Sequence, residues 1–386
     1  MIQSIIDSDI YKFSTSYAYM KLFPDAEGTF EFCDRNNTEY NKEFIDMLKL
    51  EFASLSLLSL KSSELEWCKK NIRFIPQHYW EWLSSFKFDF NKIDFGLDSN
   101  NHLHIKDTDK LYKVTLYEVP ILAIVSEATN KWKGNWVKLT DIVNKLSEKI
   151  EYSNKHKLPF SEFGTRRRFS DNVQYAVCET LKEKAIYCTG TSNVYFAKMF
   201  NMKCIGTHPH EWFMFHGAEF GYKRANYLAL ENWVNVYDGD LGIALSDTYT
   251  TEVFLKNFSR KHAKLFDGVR HDSGDPFKFV NNVIARYKEL GIDPTTKTII
   301  FSNALTFSLY KEIADFCGNR IKFAAGIGTN LTNDTEFKPS NIVMKLSECR
   351  MNERQPWYST IKLSDDEGKH MGYEKEIEIC KYECGI

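Results

Sequence analysis

The chain runs to 386 residues, 43% of them hydrophobic and 26% charged, which suits a globular protein of two or three domains. Its formal charge of −2 at neutral pH excludes a general electrostatic grip on nucleic acid or on an anionic membrane, so any anionic substrate must meet a local cluster of cations. Nine scattered cysteines without a CxxC spacing read as reduced thiols, no secretory leader is expected, and no window of about 18 residues is apolar throughout, so the expected setting is the cytoplasm.

In chain order, DIYKFSTSYAYMKLF (Asp9 to Phe23) places apolar and aromatic residues three and four apart, which predicts a helix. AEGTFEFCDRN then alternates, with Phe30 and Phe32 opposed to Thr29, Glu31 and Cys33, which predicts a strand. TDKLYKVTLYEVPILAIVSEATNKW reads as a strand followed by a helix entered at Pro120, and residues from about 126 to 150 read as helical, a bridge to a second domain.

From residue 158 short apolar runs end in polar, Gly-rich clusters, and helical stretches follow. LPFSEFGTRRRFS, AIYCTGTSN, MKCIGTHPHEW, VYDGDLGIALSD, AKLFDGVRHDSGDP, KTIIFSNALT and RIKFAAGIGTNLTND give about seven strand-then-helix units. Such a series implies a parallel sheet, and closed on itself an α/β barrel, whose strand ends gather at one mouth. Arg166, Thr191, His210, Arg270, Asp272, Asn303 and Gly326 are therefore expected to converge.

The clusters differ in chemistry. GIGTN (Gly326 to Asn330) is an anion nest of backbone amides or an ordinary turn, and it is neither a Walker loop nor a dinucleotide fingerprint. TRRR (Thr165 to Arg168) suits phosphate or carboxylate, or a salt-bridge cluster at a helix start. In RHDSGDP an arginine can hold phosphate while Asp272 binds a sugar diol or hydrated magnesium, and Asp275 before Pro276 reads as turn chemistry. GTHPHEWFMFHG (Gly206 to Gly217) crowds His208, His210 and His216 together, which leaves a zinc site, a base, a covalent nucleophile and a buried turn open.

Together DIYK, EFGTRRRFS, GTSN, GTHPHEW, VRHDSGDP and GIGTNLTND, followed by NIVMKLSEC and IKLSDDEGK, resemble the bacterial nicotinate phosphoribosyltransferase family in order over nearly the whole chain. The resemblance implies an α/β fold: an irregular (β/α) barrel with a helical bridge over residues 126–339, and an open-faced α/β domain made of residues 1–125 with 340–386. It implies ATP-coupled transfer of phosphoribose from phosphoribosyl pyrophosphate to nicotinate in NAD biosynthesis, with magnesium, a phosphohistidine and a homodimer that shares its active sites.

Matched residue by residue, Phe163 and a Tyr11 contributed by the neighbouring subunit would sandwich the pyridine ring. Arg166 would take the carboxylate or pyrophosphate charge. Thr191 and Ser192 would bind substrate, the serine favouring the acid where nicotinamide-using relatives carry aspartate. Arg270 and Asp272 would hold the phosphoribosyl group. Gly326 and Gly328, with Thr329, would cradle its 5-phosphate. His210 would accept the phosphoryl group, with Glu211 orienting its ring, while His208 and His216 would be lining or scaffold. Asn303, in SNALT, stands where the family pattern has an acid that contacts the ribosyl hydroxyls. From NIVMKL to the C-terminus the chain reads as strands, with a loop expansion near 350–358. Two other readings compete: a transferase for nicotinamide or quinolinate, and a zinc-dependent barrel hydrolase using His208, His210 and His216.

Overall fold

A computed structural model describes residues 1–386, the side chain of Glu367 aside. Near the N-terminus the helix Ile10–Leu22 leads into strand β1 (Glu27–Asp34). Phe30 and Phe32 of β1 are buried while Glu31 and Cys33 are exposed, as the alternation predicts. Thr29 is nevertheless buried beside Phe30, because the register against a later strand shifts between these two residues. β1 pairs antiparallel with β3 (Leu103–Lys110), which pairs with β2 (Ile93–Leu97).

The expected strand through LYKVTLY ends earlier than the sequence suggests. Leu111–Val114 is helical, and a 3₁₀ turn at Thr115–Tyr117 runs into the helix Glu118–Trp132. Leu111, Val114, Thr115 and Glu118 are all buried, and their three-and-four spacing outweighs the β-branched content of the segment. The Glu118–Trp132 helix is buried from Glu118 to Asn130, so it is a central element as well as a connection.

Six short strands follow: β4 (Phe160–Glu162), β5 (Cys188–Thr191), β6 (Ile243–Leu245), β7 (Gly268–His271), β8 (Thr298–Phe301) and β9 (Lys322–Ile327). They form one parallel sheet in the order β5-β4-β9-β8-β7-β6. Because β9 lies beside β4, the strands succeed one another around the sheet in chain order, as barrel strands do. The place between β5 and β6 is taken by one parallel bridge, Thr191 to Cys204, and among the described residues no strand pairing continues from there to β6. The ring thus has the expected seven places, with one gap in its hydrogen bonding. The segment in that gap contains Gly206 and Pro209, both poor ladder residues, and Gly206 lies against the backbone of Tyr11.

Most strand-to-helix turns close on a polar cap. Ser170, Asn193, Thr250, Asp275 and Thr306 each accept a hydrogen bond from the first turn of the helix that follows. Asp275 is therefore a capping residue, as its place before Pro276 implies.

After the barrel, β10 (Ile342–Arg350) returns to pair with β1, and β11 (Tyr358–Ser359) pairs with β10. The first sheet therefore has the order β11-β10-β1-β3-β2 and draws on both ends of the chain. The C-terminal segment is not all strand: Glu374–Cys384 is a helix. Its EKEIEI run alternates like a strand, yet Cys380 is the buried contact of a helix lying on the Tyr222–Tyr237 helix. One contiguous apolar core joins both sheets, and no helix among the described residues is long and apolar enough to cross a membrane.

Candidate active site

A cavity of about 420 Å³ opens at the C-terminal ends of the barrel strands, between them and the face of the first sheet. Arg166, His210, Arg270, Asp272, Asn303 and Gly326 all line it, so six of the seven strand-end residues converge as expected. Thr191 does not. Its side chain is buried behind the wall, where Oγ1 donates to Glu162 at 2.5 Å, and the cavity is lined instead by its neighbour Ser192.

Two aromatics, Tyr11 and Phe163, line the cavity. The backbone of Phe163 donates to Ile327 at 2.8 Å, and a side chain at Gly326 would run into the Phe163 ring. Gly326 thus makes room for an aromatic as well as presenting its backbone to the cavity. Gly328 and Thr329 line the same wall. Tyr11 belongs to the same chain's cavity, which corrects its expected origin in a neighbouring subunit. The cause is local: Ile10 donates to the Ser192 carbonyl at 2.7 Å and Asp9 bridges to Asn193, pinning the start of the first helix to the end of β5. The Arg166 guanidinium lies 6.0 Å from the centre of the Tyr11 ring. Ser192 Oγ donates to Asp9 Oδ1 at 2.7 Å; burial pushes the Asp9 carboxyl up, against the pull of Arg166.

The three consecutive arginines have separate fates. Arg168 is fully buried away from the cavity and donates twice to Asp7, at 3.0 and 3.1 Å. Arg167 lines the cavity, donates to the Ile342 carbonyl at 2.9 Å, and is pushed down to about 10 by burial and by Arg166. Arg166 is only loosely paired, 3.4 Å from Glu118, and stays 37% exposed.

The histidines also separate. His216 is core: its nitrogens meet the Trp212 carbonyl at 2.6 Å and Asn232 at 2.9 Å. His208 is buried against Trp233, Phe213 and Phe266, with no hydrogen-bond partner at either ring nitrogen. His210 opens the helix His210–Phe220, and its Nε2 lies 2.8 Å from Asp247 Oδ1. Burial first, then Lys362, pushes the His210 ring down to about 4, so it is neutral at pH 7. Burial pushes Asp247 up, but Lys362 at 3.6 Å and His210 outweigh it and hold the carboxyl well below the usual range. An ionised Asp247 accepts from Nε2–H, which leaves the lone pair on Nδ1. Glu211 does not orient this ring; it accepts from Lys12 and Thr115 on the far side. The three-histidine zinc site is therefore absent among the described residues. The group with metal-ligand spacing is His210, Asp247 and Asp272, whose donor atoms lie within 4.8 Å of one another.

Arg270 is the organiser of the opposite wall. It donates to Asp272 at 2.8 Å, Ser302 Oγ at 2.7 Å and Thr207 Oγ1 at 2.9 Å, the last spanning the gap in the ring. Burial raises the Asp272 carboxyl, but Arg270 leads the groups that bring it well below its ordinary value. Asn303 accepts from Lys369 at 2.9 Å, so a lysine approaches the amide that replaces the expected acid.

Asp247, Lys345, Lys362 and Lys369 were not singled out from the sequence, although the last three lie in NIVMKLSEC and IKLSDDEGK. With Arg35, Arg166, Arg167 and Arg270 the three lysines bring seven basic side chains to the cavity wall, against four acidic ones. Lys345 stands on β10 in a run otherwise apolar, and burial, helped by Lys362, pushes it down to about 7.

The model of the nicotinate phosphoribosyltransferase (NAPRTase) family matches residues 158–381, and that of the family's N-terminal domain matches residues 6–126. The chain belongs to the nicotinate phosphoribosyltransferase family. It is 41% identical over 389 residues to a nicotinate phosphoribosyltransferase of Desulforapulum autotrophicum, covering 98% of each chain. It is 42% identical to one of Chromohalobacter salexigens over 99% of this chain and 98% of that one. The crystal structure of nicotinate phosphoribosyltransferase from Porphyromonas gingivalis superimposes with a TM-score of 0.98 at 46% identity, over all of both chains. Family membership makes the chain an enzyme. Tyr11 falls in the family's N-terminal match, and Phe163, His210, Asp247, Asp272 and Lys362 in the larger one.

Proposed function

We propose that the chain makes nicotinate mononucleotide and pyrophosphate from nicotinate and phosphoribosyl pyrophosphate, a step of NAD biosynthesis, and couples this to ATP hydrolysis through phosphorylated His210. The observation that carries the reading is one cavity lined by two aromatics, Tyr11 and Phe163, by seven basic side chains and by a neutral, carboxylate-held histidine.

In this reading Tyr11 and Phe163 clamp the pyridine ring and Arg166 takes its carboxylate. The ring nitrogen then faces the anomeric carbon, which it attacks as pyrophosphate leaves. The amides of Gly326, Gly328 and Thr329 receive the 5-phosphate, and Arg270, Lys345 and Lys362 receive the leaving diphosphate. Asp272 and Asn303 face the ribose hydroxyls. Positioning and charge neutralisation supply most of the acceleration. Magnesium suits oxygen donors, so Asp272 and Asp247 would hold it with phosphate oxygens, and it would neutralise charge on the diphosphate.

For the coupled step, the Nδ1 lone pair of His210 attacks the γ-phosphorus of ATP, the bond to the bridging oxygen breaks, and ADP departs. Asp247 balances the positive imidazolium that results. A homodimer and a cytoplasmic setting belong to the same reading, the latter supported by nine free thiols.

One observation favours nicotinamide as the base instead: the Asp9 carboxyl beside Ser192 could accept from an amide N–H. Competition among nicotinate, nicotinamide and quinolinate, with product measured with and without ATP, decides. The expected result is nicotinate mononucleotide, formed faster with ATP; preference for nicotinamide overturns the substrate.

A further inference from the structure

Lys12 lies in the first helix and is fully buried. Its ammonium pairs with Glu118 and with Glu211, and lies 3.2 Å from Thr115 Oγ1. Thr115 in turn donates to the other oxygen of Glu211. Both glutamates are almost wholly buried and both line the cavity. Two carboxylates with one ammonium leave a negative charge to be answered, and Arg166 is the neighbour that answers it, at 3.4 Å from Glu118 Oε1. That distance is long for a guanidinium–carboxylate pair, and Arg166 keeps its exposure to the cavity. Lys345 is the next cation acting on Glu118.

We infer that Lys12 is a positioning residue for the transfer reaction: by satisfying Glu118 from behind, it keeps Arg166 free for the carboxylate of the incoming base. The inference rests on the reading of Arg166 given under Proposed function. Without Lys12, Glu118 draws Arg166 into a close pair, and an anionic base meets a neutralised slot. The two glutamates differ in this respect. Glu118 is the one that touches Arg166, whereas the Glu211 carboxylate meets Lys12 and Thr115.

The test uses the full chain and steady-state kinetics with nicotinate and phosphoribosyl pyrophosphate. Wild-type protein is assayed first; if it forms no nicotinate mononucleotide, the functional reading fails whatever Lys12 does. Given a working wild type, Lys12→Met should raise KM for nicotinate by about tenfold or more while kcat falls less. Lys12→Met/Glu118→Gln should return KM for nicotinate to within about threefold of wild type, whereas Lys12→Met/Glu211→Gln should leave it high. An unchanged KM in the single variant, or equal rescue by both double variants, overturns the positioning role. If the single variant does not fold, the two double variants carry the comparison. If none of the three folds, Lys12 is a structural staple and the inference is wrong.

Discussion

The two walls of the cavity are built on different principles. The barrel wall presents a histidine, carboxylates, hydroxyls, glycine turns and three arginines at the ends of short parallel strands, and hydrogen bonds tie His210, Asp247, Arg270, Asp272 and their hydroxyl neighbours in place. The wall made by the first sheet and the segment after it presents Arg35, Lys345, Lys362 and Lys369, and no acid. One wall holds groups of both signs in a fixed geometry; the other adds positive charge with no acid beside it. A substrate rich in phosphate needs both, and a chain of net charge −2 supplies the second by gathering lysines from distant segments.

The largest effect expected on the barrel wall is at Asp247. Asp247→Asn keeps the shape but allows the other tautomer, and ATP-coupled turnover should fall on the order of a thousandfold. A loss under tenfold would remove Asp247 from the coupled step and break the division between the walls.

The cation wall is sharpened by pH. His210 needs an unprotonated nitrogen, and its ring is pushed down to about 4. Phosphoryl transfer to it should therefore be flat through neutral pH and fall as the pH drops through that value. Lys362 helps lower the ring, so Lys362→Met should shift this limb upward, toward the ordinary histidine range. A limb that does not move would show that the two walls do not communicate.

A smaller effect is expected at Lys345, pushed down to about 7. As pH rises through 7 the ammonium is lost, so kcat/KM for phosphoribosyl pyrophosphate should decline by a few fold; Lys345→Arg, which stays charged, should flatten that decline. Behind the barrel wall, Thr191→Val should cost about 1–2 kcal/mol of stability, by leaving Glu162 short of a partner, and change KM for either substrate little. The smallest effect is at His208, whose unpartnered nitrogens favour replacement: His208→Phe should move stability by less than about 1 kcal/mol. Thermal melts check both.

How legible each wall is in the sequence follows from how local it is. The barrel wall is written in short segments, a strand, a polar turn and a cap, so its strand-end residues can be read one unit at a time. Asp247 obeys the same rule, at the end of β6, but β6 has three residues and SDT reads as a turn. The cation wall depends on β10 pairing with β1 some three hundred residues away, and nothing local in NIVMKL tells which side of the strand faces a cavity. The roles within TRRR and within GTHPHEWFMFHG were equally hidden. Adjacent residues point in different directions, and only the partners, Asp7 for Arg168, Asp247 for His210 and Asn232 for His216, separate them.

The proposed phosphorylation of His210 is open to a direct measurement. Incubation with γ-labelled ATP and magnesium, followed by separation under alkaline conditions, measures it directly. Acid-labile label is expected on the wild-type chain and none on His210→Asn, which should retain slow, ATP-independent synthesis of the nucleotide. Label that persists on His210→Asn would contradict the proposal.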